Sequence, residues 1–176
     1  MSRQRLRFSA AFDLRAAAGG RIIEGTAVRY GDVARLPWGR ERFAAGAFEA
    51  LASADVLLNR QHQRTAPLAR TGGGGLELLD SPDALRIRAE LPRTRDADDV
   101  LELIAAGILR GLSVEFGALR SRIVDGIETV SRAKLGAVGV VDRPAYPDSV
   151  IARERAAFEE LARGADPGPG RVRFWL

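Results

Sequence analysis

Two residues of this chain have the types needed for nucleophilic acyl chemistry, and they lie far apart in sequence. The first is His62, the single histidine of the 176 residues, in "LLNRQHQR". The second is Ser113, in "LRGLSVEF", where a helix-like segment gives way to a strand-like one. A serine attacks a carbonyl only when a nearby base takes its proton, and a third group often orients that base. Only the fold can bring positions 62 and 113 together. The plainer reading makes Ser113 a strand-edge serine and His62 a surface histidine after an apolar strand. Two acids compete for the orienting role. Glu115 is two residues beyond Ser113, and residues two apart in a strand point to one face; the favoured reading, however, is a solvated strand residue, since charges are mostly exposed. Asp142 is the other candidate.

Other chemistries are narrowed by composition. Cysteine is absent, which removes disulfides, thiolate nucleophiles and cysteine-based zinc sites. A lone histidine argues against a histidine-rich metal centre, and the acids at Asp96–Asp99 fit a helix N-terminus better than a metal site. The run Gly72–Gly75 lacks the Lys-Ser/Thr of a phosphate loop. Neither cofactor nor metal is expected. No apolar run approaches the ~20 residues of a membrane helix, and the N-terminus carries no long apolar segment of a secretory signal. The formal charge is +4, and of 27 basic residues only Lys134 is lysine. The arginines are scattered, without a basic block or interleaved aromatics, which argues against a nucleic-acid partner. A basic β domain binding nucleic acid remains a third reading.

The elements that must position the pair follow from periodicity and turn signals. Residues 5–15 and 21–30 read as strands. Residues 46–54 read as a short helix, and 55–60 as an apolar strand leading to His62. "GLELLD" and "ALRIRAELP" form a hairpin about Ser81-Pro82-Asp83. In its second strand Leu85, Ile87, Ala89 and Leu91 share one face, opposite Arg86, Arg88 and Glu90. "DADDVLELIAAGILRG" is the clearest helix, capped by Asp96 or Asp98 and closed at Gly111, with Val100, Leu101, Ile104, Ala105 and Ile108 on one face. Strands follow at 112–119, 127–133 and 134–142, with Asp125-Gly126 as a hairpin turn. "PDSVIARERAAFEELARG" is a second helix. Residues 165–176, including Trp175, form a Pro/Gly-rich flexible tail, and Trp38 sits in a loop. The fold expected from these elements is a mainly β barrel, a single domain over residues 1–164 with peripheral α-helices.

Five segments, in order, resemble the tailed-phage prohead (procapsid) maturation proteases, whose fold is similar to herpesvirus assemblin. They are "GTAVRYG" at 25–31, "RERFAAGAFEAL" at 40–51, "DVLLNRQH" at 55–62, "IAAGILRGLSVEF" at 104–116 and "LGAVGVVDRPAYPDSVI" at 135–151. The resemblance covers about residues 5–155. It implies a closed β-barrel of the assemblin type, with Ser113 as nucleophile and His62 as general base. Arg143 becomes a candidate for supporting the oxyanion hole, its alternative being an ordinary surface arginine. The chain departs from the family pattern at three positions. An acid is usual where it has Ala137, a serine where it has Gly139, and a glycine where it has Glu115.

The activity so implied is that of a serine endopeptidase acting inside procapsids assembling in the cytoplasm of a bacterial host. Its partners would be the major capsid protein and its scaffold segment, with self-cleavage, and without a membrane; homo-oligomerisation is left open. The source would be a phage, a prophage or a gene-transfer particle. Ala137 at the usual acid position keeps open a second reading, a catalytically degenerate protease-fold module that binds capsid protein during assembly.

Overall fold

The computed structural model describes residues 7–12, 15–16, 20–36 and 39–142, the first two ranges by backbone alone. In chain order the elements are β1 (Arg7–Phe12), β2 (Arg15–Ala16), β3 (Ile22–Arg29), β4 (Ala34–Leu36), β5 (Gly39–Phe43), β6 (Leu57–Arg60), β7 (Pro67–Arg70), β8 (Leu76–Asp80), β9 (Ala84–Glu90), α1 (Arg95–Ala105), β10 (Gly111–Val124) and β11 (Ile127–Val141). They make two sheets. One runs β1-β10-β11-β5-β4 and also carries β6, bonded to β11, and β7, bonded to β6; the other runs β2-β3-β9-β8.

The closed barrel expected from the resemblance is not formed among the described residues; both sheets are open. The long strand β11 explains part of this. On the edge away from β10 it pairs in parallel with β5 through Ile127–Val130 and with β6 through Ala137–Val140. The sheet therefore branches at β11, and β1 at one end has no ladder to β4 or β7 at the other.

The core is apolar and lies between the sheets. Ile23, Val28, Leu78, Leu85 and Ile87 from the second sheet meet Leu58, Leu112, Val114, Val138 and Val140 from the first. Phe43, Phe48 and Phe116 stack at its end, with Phe43 and Phe116 centroids 4.8 Å apart in an edge-to-face pair. On β9 the predicted apolar face is buried, but Arg86 is buried too. Its guanidinium is paired to Asp83 Oδ2 at 2.5 Å and donates to the Ser81 hydroxyl at 2.8 Å. A buried cation is tolerable only with such partners.

Several local expectations change. Residues 46–54 do not form an α-helix. Gly46 and Ala50 both take left-handed backbone, Phe48 bridges to Ala133, and only Leu51–Ser53 make a 3-10 turn. Thr94, not Asp96 or Asp98, caps α1, its side chain accepting from Ala97 N at 3.3 Å. The two acids lie in the first turn instead, where they complement the dipole. The helix stops at Ala105 and Gly107 takes φ 70°, so Gly111 opens β10 rather than closing the helix. Ile108 is accordingly exposed. Strands 127–133 and 134–142 are one element, β11, joined to β10 through Asp125 and Gly126, whose φ values of 52° and 71° suit the tight hairpin turn. Trp38, the second helix, Trp175, the tail and Arg143 lie outside the described residues.

Candidate active site

Residues 111–116 of β10 are buried on both faces. Leu112 and Val114 join the core, so the intervening Ser113 and Glu115 point away from it. The ladder sets their neighbours. Ser113 pairs with Gly139 and Glu115 with Ala137 on β11. Across β11, Gly139 pairs with Asn59 and Ala137 with Leu57 of β6. Residues opposed on adjacent strands project to one face, so Ser113, Gly139 and Asn59 form one rung of the site face and Glu115, Ala137 and Leu57 the next. A bulge in the β10–β11 ladder follows Glu115, and such bulges re-aim side chains near functional sites.

His62 reaches this face because β6 ends in a sharp reversal. Gln61 and His62 have φ values of 52° and 57°, in the left-handed region that L-residues avoid at a cost of roughly 1–2 kcal/mol each. The reversal is held by Gln61 N donating to Val140 O at 3.0 Å, Gln63 N to Arg60 O at 2.9 Å and Arg60 N to Ala66 O at 3.1 Å. It lays the imidazole back over Gly139. A Cβ built on Gly139 would lie 2.7 Å from His62 Cε1 and 2.9 Å from both Nδ1 and Nε2. Only a glycine leaves room for the ring there. Cβ positions directly opposed across the ladder are about 4.5–5.5 Å apart, so the ring sits beside Ser113.

The imidazole is tied to Glu115, with His62 Nδ1 2.9 Å from Glu115 Oε1. An ionised carboxylate can only accept, so Nδ1 donates the proton and the ring's lone pair is on Nε2. Burial pushes the His62 pKa below its ordinary value, against the upward pull of the Glu115 hydrogen bond and charge. At neutral pH the ring is therefore an uncharged base. Ser113 and Glu115 are both buried, at 4% and 3% exposure, which keeps water from screening these interactions.

His62, Ser113 and Glu115 are thus gathered on one face. Asp142 is exposed at the end of β11, where its Oδ1 accepts from Gln61 Nε2 at 3.1 Å and its carbonyl from Arg110 Nε at 3.3 Å. It supports the residue next to His62, while the carboxylate on Nδ1 is that of Glu115. Two site-face residues escaped sequence reasoning. Gly139 was visible only as a departure from a family serine. Asn59 was one of the polar residues bounding the apolar core of its strand, and it is fully buried. Among the described residues no group of three or more His, Asp or Glu is placed to hold a metal ion, and no helix is long and apolar enough to cross a membrane.

Comparison with known proteins points to the same family as the resemblance. No curated protein and no solved structure matches the chain. The model of one family, described as the Caudovirus prohead serine protease, matches residues 10–163, a span that takes in His62, Ser113, Glu115 and the whole of both sheets' central strands. On that match the chain belongs to the caudovirus prohead serine protease family.

Proposed function

We propose that the chain is a serine endopeptidase of procapsid maturation in which Ser113 is the nucleophile, His62 the general base and Glu115 the acid that orients it. Its substrate is the major capsid protein with its scaffold segment, and the chain itself where self-cleavage occurs, within procapsids in the host cytoplasm. The observation that carries this reading is the 2.9 Å contact of Glu115 with His62 Nδ1, one rung from Ser113.

In this mechanism the neutral imidazole takes the Ser113 proton at Nε2 as Oγ bonds to the scissile carbonyl carbon. Glu115, fixed on Nδ1–H, stabilises the imidazolium that forms. The oxyanion is assigned to backbone donors of neighbouring loops, with Arg143 as supporting cation on the strength of the resemblance alone. Collapse of the tetrahedral intermediate breaks the C–N bond, and the imidazolium proton leaves with the amine. Water, deprotonated by His62, then attacks the acyl-enzyme, and Ser113 recovers its proton on release of the carboxylate product.

The degenerate capsid-binding module drew its support from Ala137 at the usual acid position. Glu115 is the cross-strand partner of Ala137 and supplies a carboxylate to the same face, which favours the enzyme. A fluorophosphonate probe separates the two. Oγ displaces fluoride to form a P–O bond only if it is activated. Labelling that maps to Ser113 and is abolished in His62→Ala is expected. A folded wild-type chain that remains unlabelled, or labelling indifferent to His62, would assign the domain to binding.

A further inference from the structure

Asn59 lies on the same rung of the site face as Ser113, with Gly139 between them. Its neighbour Leu58 faces the core, so the Asn59 side chain projects to the opposite face. The imidazole of His62 occupies the space above Gly139, and Asn59 flanks it from β6 as Ser113 does from β10. Asn59 is 0% exposed, and neither its Oδ1 nor its Nδ2 has a hydrogen-bond partner. A buried amide without partners destabilises a fold, and an apolar residue of similar size would fit this strand better. Its retention beside an imidazole calls for a role that apolar volume does not fill.

We propose that Asn59 is a positioning residue for His62, its amide dipole turning its oxygen toward the ring and stabilising the imidazolium formed during acyl transfer. A side-chain dipole orients in the local field, and in a site shielded from water it acts at close to full strength. With no competing hydrogen bond, the Asn59 amide is free to respond to a charge that exists only part of the time. The charge shown to act on the ring is that of Glu115 on β10; Asp142 and Arg110 bond each other where β11 ends and β10 begins, and Arg60 and Arg64 flank His62 in sequence. All of these are left in place by substitutions at position 59. The proposal rests on the reading of His62 as general base, but its first test does not need catalysis.

Because the chain has one histidine, the Hε1 proton resonance of an untagged sample titrates His62 alone. Asn59→Leu is expected to weaken proton binding to the ring about tenfold, a fall of about one pH unit in its midpoint. Asn59→Asp, which places a charged acceptor at the same site, is expected to raise the midpoint above wild type. The thermal midpoint of Asn59→Leu is expected to equal or exceed that of wild type, while kcat falls about tenfold and the acid limb of the pH–rate profile moves down with the titration. A folded Asn59→Leu chain whose His62 titrates as in wild type, or at higher pH, overturns the proposal. So does a lowered thermal midpoint or a failure to fold, which would make Asn59 structural. If the titrations shift as expected but wild type cleaves nothing and takes no probe, the Asn59–His62 coupling stands and the peptidase reading falls.

Discussion

Gly139→Ala tests the seat of the imidazole most directly. The added Cβ would stand 2.7 Å from His62 Cε1, where ordinary contacts begin near 3.4 Å, so the ring must retreat by about 0.7 Å. It cannot do so and keep both neighbours, because Nδ1 is held at 2.9 Å by Glu115 and Glu115 is on a buried stretch of strand. Misplacement of a catalytic group by about 1 Å costs on the order of 100-fold, so kcat is expected to fall about 10- to 100-fold. The fold should survive. Gly139 has no left-handed backbone to strain an alanine. Crowding that costs about 1–3 kcal/mol is partly offset by about 0.4–1 kcal/mol from a stiffer unfolded chain. The assay is cleavage of a peptide spanning the capsid–scaffold junction, alongside circular dichroism and the His62 titration. Loss of the Glu115 bond moves the titration to lower pH, since that bond is what pulls the value up. Wild-type kcat together with a wild-type His62 titration in Gly139→Ala would refute the stacked geometry.

Removing the carboxylate itself has a larger effect. Glu115→Gln keeps the size but loses the charge that stabilises the imidazolium, and orienting acids in such sites are worth about 10⁴ in kcat; a loss of about 10²–10⁴ is expected. The acid limb of kcat/KM, which reports the free enzyme's base, is expected below the ordinary histidine range in wild type because burial lowers it, and should move lower still in this variant. A limb unmoved by Glu115→Gln would disconnect the acid from the base. Away from the site, the Arg86 guanidinium holds the Asp83 carboxyl down at about 2. Its contribution to stability is complete above about pH 4, the unfolded value, and is lost as pH falls toward 2. Asp83→Asn is expected to cost about 1–2 kcal/mol at neutral pH, since it strands a buried cation whose partner is half exposed. Urea titrations of the two forms should differ at pH 7, and the difference should shrink markedly by pH 2.5.

How much of this was legible depended on whether the determinant was local. The Asp125-Gly126 turn, the β8–β9 hairpin and the alternation of Leu85, Ile87 and Ala89 follow from neighbours in sequence, and each is where local rules put it. The stretch at 46–54 has a helical pattern, yet Ala47 and Glu49 exchange backbone hydrogen bonds with Ala133 of β11, a tertiary preference that no window of sequence contains. The same holds for β11, which takes two separate parallel partners on one edge. Barrel closure was expected from the many short strands and from family likeness, and it fails because closure is a property of the last ladder alone. At the site, the i and i+2 spacing of Ser113 and Glu115 announced a shared face, whereas Gly139 and Asn59 acquired meaning only from register. One residue of slip would have turned both to the core.

Register also accounts for the three departures from the family pattern together. Ala137, where an acid is usual, and Glu115, where a glycine is usual, are partners on one rung. The carboxylate has moved by one strand, about 4.7–4.9 Å, without leaving the face or the level of the site. With the acid on β10, the imidazole that bonds it lies low across β11, over the position where the family pattern has serine. A serine Cβ there would stand within 2.9 Å of three ring atoms, so Glu115 in this pose requires Gly139. Set against the family pattern that the resemblance implies, Ala137, Glu115 and Gly139 are mutually compatible at this face. Together they allow a carboxylate to stay bonded to Nδ1 of the single histidine.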